Sequence, residues 1–180
     1  MAPSCPRRWP QLFRERLMIF ITVGTDQPFD RMVRVIDRWA GETGRRDVFA
    51  QIGEGGWQPS HIAFVEFLEP VEFKERFARA TLIIGHAGMG TILSALLHGK
   101  PILVMPKKAS LGEHRNEHQT ATARRMMALG NVNVAFDEVE LREQLDRIDS
   151  LQARAVIASH ASGGLVEGIR EFIFQGGQRS

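Results

Sequence analysis

One cysteine in 180 residues, Cys5, excludes an internal disulfide framework and offers no cluster of thiolates for a structural zinc. A reducing compartment is the simplest setting for such a chain. No run of about 18 apolar residues occurs, so no segment is expected to cross a bilayer by itself. The first residues also lack the apolar stretch of roughly 7–15 residues that a secretory signal needs. Internal repeats and low-complexity tracts are absent as well.

A basic body is lacking too, despite a pI of 9.1. Residues 1–17 carry Arg7, Arg8, Arg14 and Arg16 against Glu15 alone, which leaves 19 of the 23 basic and 20 of the 21 acidic residues elsewhere. That balance gives no nucleic-acid-type surface, and no nucleic acid partner is expected. Residues 1–17, with three prolines, Trp9 and Phe13, are expected to be a disordered extension ahead of a true start at Met18. A basic flap toward a membrane surface is the alternative. The folded domain is expected over 18–180, a length that fits one domain with a substantial core.

What is present is an alternation of short apolar runs and helical patterns. Residues 18–23 (MIFITV) read as a buried parallel strand. Pro28 then opens a helix whose apolar residues Phe29, Met32, Val33, Ile36 and Ala40 repeat at helical spacing, with Gly41 and Gly44 as its stop. Residues 47–52 and 61–68 read as strands, and 70–79 as a helix opened by Pro70. Residues 81–84 read as a strand, 85–90 as a loop and 91–98 as a helix capped by Gly99. A strand follows at 101–105, a loop at 106–112, a long helix at 113–129 and a short strand at 132–136. Asp137 caps a helix to about 148, and an amphipathic helix is expected over 163–174. This order predicts an α/β fold, a Rossmann-like, doubly wound parallel sheet.

The most informative stretch is Ile83-Ile84-Gly85-His86-Ala87-Gly88-Met89-Gly90-Thr91. A buried strand ends, three glycines follow, and a helix begins. Gly88 and Gly90 remove side chains where a ligand's oxygens would approach the backbone. The first amides of that helix have no internal partners, and its dipole presents positive charge there, which suits a diphosphate. Gly24-Thr25, after the first strand, would face the same crevice. The spacing fits neither G-x-G-x-x-G nor G-x-x-x-x-G-K-[ST]. Since glycines also serve tight packing, the residues alone leave an anion site and a packing role both open.

A second constellation follows the 101–105 strand. Lys107, Lys108 and Arg115 can balance a substrate's negative charge, while Asn116, His118 and Gln119 offer hydrogen bonds to a base, ribose or sugar. A solvated loop and polar helix start is the plainer reading of the same run. His114-Arg115-Asn116-Glu117-His118 also fits H-x-x-E-H, an inverted zincin motif, with both histidines one helical turn apart. Only about 60 residues follow it to hold a third zinc ligand, so a zinc hydrolase is the minor alternative.

Together MIFITVGTDQPFDRMV, GHAGMGTILSALLHGKPILVMPKK and GEHRNEHQ resemble the C-terminal domain of glycosyltransferase family 28. They resemble in particular its small, separately encoded subunits, of the dolichol-pathway N-acetylglucosaminyltransferase kind or the PssE-like kind of exopolysaccharide synthesis. The resemblance runs from Met18 to the final helix. It implies the C-terminal half of a GT-B glycosyltransferase that binds a UDP-sugar. A membrane-associated partner subunit would supply the N-terminal half and a lipid-linked acceptor. Gly24 and Thr25 match the family's first-strand loop, and Gly85, His86, Ala87, Gly88 and Gly90, leading into Thr91, match its phosphate loop. Asn116, His118 and Gln119 match the N-x-H-Q segment near the nucleotide-sugar. Ser94 stands where related members often place a glutamate that can grip the ribose.

The implied reaction is hexosyl transfer from a UDP-sugar to a lipid-diphosphate-linked saccharide. Helix-terminal amides would stabilise charge on the departing diphosphate, without a metal or organic cofactor. His86 is the candidate catalytic residue, donating to the diphosphate or its sugar, with His118 directed at sugar hydroxyls. Glu113 and Glu117 read as helix-start charges, so the acceptor's base is expected from the partner. The chain is expected in the cytoplasm, at the inner membrane face through that partner. Leu165, Ile169, Phe172 and Ile173 are the candidate contact, with core packing as the plainer role. A non-catalytic nucleotide-binding regulator on the same fold is the main alternative.

Overall fold

The computed structural model describes residues 18–130 and 132–151. The expected extension at 1–17 and the expected helix at 163–174, with Leu165, Ile169, Phe172 and Ile173, lie outside the described residues.

The apolar runs become strands because both of their faces are covered. They are β1 (Met18–Thr22), β2 (Val48–Gln51), β3 (Ala63–Val65), β4 (Ala80–His86), β5 (Ile102–Met105) and β6 (Asn133–Val134). All pair in parallel, in the order β3-β2-β1-β4-β5-β6. The helices between them are α1 (Asp30–Thr43), α2 (Pro70–Arg79), α3 (Met89–Leu97), α4 (His118–Ala128) and α5 (Glu138–Asp146). The β2–β3 connection carries no helix and α5 follows β6; the helices of the other crossovers and α5 lie on one face or the other, and the core divides accordingly. Ile19, Ile21, Ile84 and Leu103 pack against Met32, Ile36 and Trp39 of α1 and Leu141 and Leu145 of α5. Phe20, Phe49, Ile83 and Val104 pack against Phe77 of α2, Ile92 and Leu96 of α3, and Met126 of α4. Phe20 and Phe49 stack with centroids 6.1 Å apart, and the Phe73 ring meets Phe20 edge-on at 5.4 Å.

Several boundaries differ from the sequence reading. Gly85 and His86 belong to β4 rather than to the following loop, and α3 begins two residues early, at Met89. The connection is therefore Ala87-Gly88 alone. Helix α1 runs through Gly41 and ends at Gly44, whose φ of 68° makes the left-handed cap. Gly41 is instead where α1 leaves room for the His61 ring, since a Cβ there would lie 2.7 Å from it.

Helix α4 starts at His118, not at Glu113. A 3-10 turn at Ala109–Leu111 and an irregular stretch precede it. His114 and His118 therefore do not sit one turn apart on a helix, which removes the geometry that H-x-x-E-H zinc binding requires. Glu117 does lie at the α4 start, whereas Glu113 is engaged elsewhere, in an ion pair with Arg31.

Candidate functional site

In this strand order the chain leaves β1 toward β2 on one side and returns with β4 on the other. The crevice of such a sheet opens beyond the carboxyl ends of those two strands. Across that edge Gln51, Thr22, Gly85 and Val104 form one row, from β2 to β5. Just beyond it stand Gly24 on the β1 side and His86, Ala87 and Gly88 on the β4 side.

The His86 ring fills the space between the two loops. A Cβ on Gly24 would lie 2.7 Å from its Cε1, and one on Gly88 only 2.2 Å from its Nε2. Gly24 also has φ +84°, a conformation that L side chains rarely adopt. Gly85 is held by packing, because a Cβ there would meet the Thr22 carbonyl at 3.0 Å and the Thr91 methyl at 3.4 Å.

Gly90 is different. It lies in the first turn of α3, its φ is not positive, and among the described residues a Cβ there would meet nothing within 4 Å. The fold gives no packing reason for a glycine at this position. Gly88, the residue before α3, supplies no side-chain cap, and the first ladder bond runs from Ile92 N to the Gly88 carbonyl at 3.1 Å. The helix start is left for a partner of another kind. Ser94 is one turn on from Gly90, on the same strip of α3. Thr25 is exposed at the tip of the β1 loop.

Burial holds the His86 imidazole down, with the Lys107 charge adding to it, hydrogen bonding to the Thr22 backbone opposing and His114 adding a little more, so that its pKa falls to about 4. The ring is therefore neutral at physiological pH, and its Nδ1 is buried without a hydrogen-bond partner among the described residues. Because the folded pKa is depressed, the unfolded chain takes up this proton first. Stability is expected to fall as pH drops from the ordinary imidazole range toward about 4. An NMR titration of the ring should show a midpoint near that value; one near 6.5 would contradict the buried, cation-flanked setting.

The residues after β5 serve mostly as bracing. Lys107 is 1% exposed, its ammonium donates to the Gln27 carbonyl, and it lies 5.8 Å from the Phe29 ring centroid. Desolvation lowers its pKa, against the pull of Asp26 and Glu113. The Lys107 amide donates to Gln119 Oε1 at 3.1 Å, so the buried Gln119 side chain ties α4 to the strand end. Glu113 accepts two bonds from Arg31, at 2.7 and 2.9 Å, and one from the Lys108 amide at 2.9 Å. Arg31 reaches Glu138 of α5 as well, at 3.0 Å.

Of the proposed sugar contacts, Asn116 and His118 are exposed, with Asn116 Oδ1 accepting from the His118 amide at 3.2 Å. Arg115, 81% exposed, lies 3.9 Å from Asp26 of the β1 loop. The structure thus gathers Gly24, His86, Gly88, Gly90 and Thr91 at one crevice and lines its rim with the 106–118 segment. Lys107 and Gln119 point inward, into the bracing. Thr22, Gln51 and Arg31 have no role in the sequence reading, and Glu113 has only that of a helix-start charge. Only a polar side chain closing an otherwise apolar strand, as in VFAQ, hinted at any of them.

A cleft of about 340 Å³ between α1 and α5, lined by Val35, Arg38, Glu138, Val139, Arg142 and Glu143, contains none of these residues. Among the described residues there is no group of three or more His, Cys, Asp or Glu able to hold a metal. Elemental analysis of the purified chain should find no stoichiometric zinc. Zinc that disappears on His114→Ala would reinstate the metal reading.

The strand order and the glycine-flanked crevice define a doubly wound α/β domain of Rossmann type. The chain belongs to the glycosyltransferase family 28 C-terminal domain family, whose sequence model matches residues 18–171. It is 29% identical over 109 residues to the UDP-N-acetylglucosamine transferase subunit ALG13 of Homo sapiens, covering 55% of this chain and 10% of that protein. The Mus musculus protein of the same name is 32% identical over 108 residues, 54% of this chain and 9% of the relative. The chain thus spans about a tenth of the length of these curated relatives.

Among solved structures it is similar to a solution structure of ALG13, with TM-score 0.58 and 18% identity over 88% of this chain and 95% of that one. It is also similar to Acinetobacter baumannii MurG, with TM-score 0.58 and 18% identity over 87% of this chain and 50% of that one. The fold is that of the C-terminal half of a GT-B glycosyltransferase. Among the described residues no helix is long and apolar enough to cross a membrane.

Proposed function

We propose that this domain binds the UDP-sugar donor of a glycosyltransferase that transfers a hexosyl group to a lipid-diphosphate-linked saccharide. Gly24, Thr25, Gly85, His86, Ala87, Gly88, Gly90 and Thr91 form the diphosphate side of the site. Ser94, Asn116 and His118 face the nucleotide-sugar, while Lys107 and Gln119 hold the rim in shape. The observation that carries the reading is Gly90. A glycine in the first turn of a helix costs stability, and here no packing requires it. Close approach of a ligand to the α3 amides explains it.

As the sugar departs, negative charge grows on the diphosphate, and the bare α3 start and neighbouring amides stabilise it. Neutral His86 adds one donor without a competing charge. The similarity to a UDP-N-acetylglucosamine transferase subunit supports a uridine nucleotide. That relative is a subunit, which supports a partner chain; on our reading the partner completes the enzyme at the membrane surface and brings the acceptor and its base.

Gly90→Ala separates binding from folding. It should stabilise the domain by about 0.5–1 kcal/mol, as alanine replaces glycine in a helix, while weakening UDP affinity about tenfold, or 1.4 kcal/mol. Stability comes from urea melts and affinity from calorimetry. Unchanged UDP affinity together with crystallographic UDP density away from the α3 start would overturn the proposal. UDP binding without any sugar transfer in the partner complex would favour a regulator instead.

A further inference from the structure

The geometry of the Gly24 loop assigns a role to two buried polar side chains that the donor site does not touch directly. We propose that Thr22 and Gln51 are positioning residues that grip the two ends of Gly24, and so fix the wall against which His86 is held. This rests on the donor-site reading above.

Thr22 and Gln51 are register partners at the carboxyl ends of β1 and β2, and they are 1% and 2% exposed. The Gly24 amide donates to Thr22 Oγ1 at 3.3 Å, and the Gly24 carbonyl accepts from Gln51 Nε2 at 3.4 Å. Gly24 is therefore held from both sides in its left-handed conformation. Its Cα faces the His86 ring so closely that even a methyl would collide.

Gln51 is also an awkward residue to keep here. Among the described residues its Oε1 is buried without a partner, and an orphaned buried acceptor is unfavourable. Leucine would continue the apolar pattern of β2 with no polar atom to satisfy. Among the described residues the one hydrogen bond of its side chain goes to Gly24, and that bond is its distinguishing contribution. Thr22 shows the same logic: valine would match its shape and suit a strand better, but would leave the Gly24 amide without its acceptor.

With either grip lost, Gly24 is free to leave its left-handed conformation, and the ring loses one wall. Displacement of a donor by about 1 Å typically costs up to 10²-fold in a reaction that depends on alignment. For binding alone the expected loss is about tenfold in UDP affinity.

The test uses the full chain, with Thr22→Val, Gln51→Leu and the hydroxyl-retaining Thr22→Ser. Two readouts are taken: UDP affinity by calorimetry, and the side-chain nitrogen resonances of His86, assigned with His86→Gln. The expected result is a shifted His86 signal and weakened UDP binding in Thr22→Val and Gln51→Leu, with Thr22→Ser close to the parent on both. Folded Thr22→Val and Gln51→Leu with the parent's His86 signal and an affinity within twofold would overturn the proposal. Should either not fold, Gln51→Asn, which shortens the reach without adding apolar volume, is read in the same way. If the parent chain binds no UDP, the donor-site reading fails. The His86 resonances still decide whether the two residues hold the ring.

Discussion

Replacing Gly88 by alanine should lower UDP affinity about a hundredfold, or 2.7 kcal/mol, while the domain remains folded. The added Cβ would sit 2.2 Å from His86 Nε2, far inside any tolerable contact. A flexible neighbour would swing aside, but this ring cannot do so freely. On its other side Gly24 already lies so near that a Cβ there would be 2.7 Å away. The ring must therefore move out of the slot, into the space beside the α3 start, or drag Ala87-Gly88 with it. Either movement displaces a donor and the amides meant for the diphosphate. Gly44→Ala, at the far end of α1 and with nothing near its Cβ, serves as a control for glycine replacement. It should change stability and leave affinity alone. A Gly88→Ala protein that binds UDP as the parent does would show that the slot does not serve the ligand.

The second large effect concerns stability. Asp37 of α1 is 3% exposed and accepts from the amides of Ser60, His61 and Ile62 and from His61 Nδ1 at 3.0 Å. One carboxylate thus satisfies the backbone of the segment that leads into β3. Asp37→Ala should cost about 3–5 kcal/mol, because three amides lose their acceptor at once in a poorly solvated place. Denaturant unfolding followed by fluorescence would measure it, and a loss below about 1 kcal/mol would mean the segment finds other partners.

The pH dependence has a definite sign. Burial alone would raise the Asp37 pKa, but the bonds from His61, Ser60 and Ile62 outweigh it and hold the carboxyl below its ordinary value. The contribution is complete above the ordinary carboxylate range and disappears as pH falls through the folded value. Asp37→Asn should remove that acid sensitivity and recover part of the stability.

Much of this architecture could be read from the chain. The runs MIFIT, VFAQ and ILVM are apolar on both faces, which only a covered parallel sheet requires, and Pro70 marked the first residue of α2. The strand-to-helix passage at 83–91 was visible because glycines and a helical pattern met there. Its inner boundary was not, since Gly85 and His86 look like loop residues and become strand through pairing with Thr22 on one side and Val104 and Met105 on the other.

The start of α4 was missed for a related reason. Residues 113–117 have acceptable helix propensity, but Glu113 is drawn to Arg31, 82 positions away, and no local pattern records that pull. Gly41 shows the same limit, since its meaning depends on a histidine twenty residues later. Likewise, Lys107 has the composition of a surface cation. Its burial follows from the Gln27 carbonyl and the Phe29 ring, which the topology brings to it.

The bracing of the rim bears on how a nucleotide would arrive. Lys107 fastens the β1 loop to the end of β5, Gln119 fastens that end to α4, and Arg31 of α1 joins Glu113 of the rim to Glu138 of α5. With so many cross-links in place beforehand, little remains to be rearranged on encounter. Stopped-flow traces with UDP should be single exponentials whose rate rises linearly with concentration. A plateau would reveal a slow opening step in a wall that this bracing makes stiff.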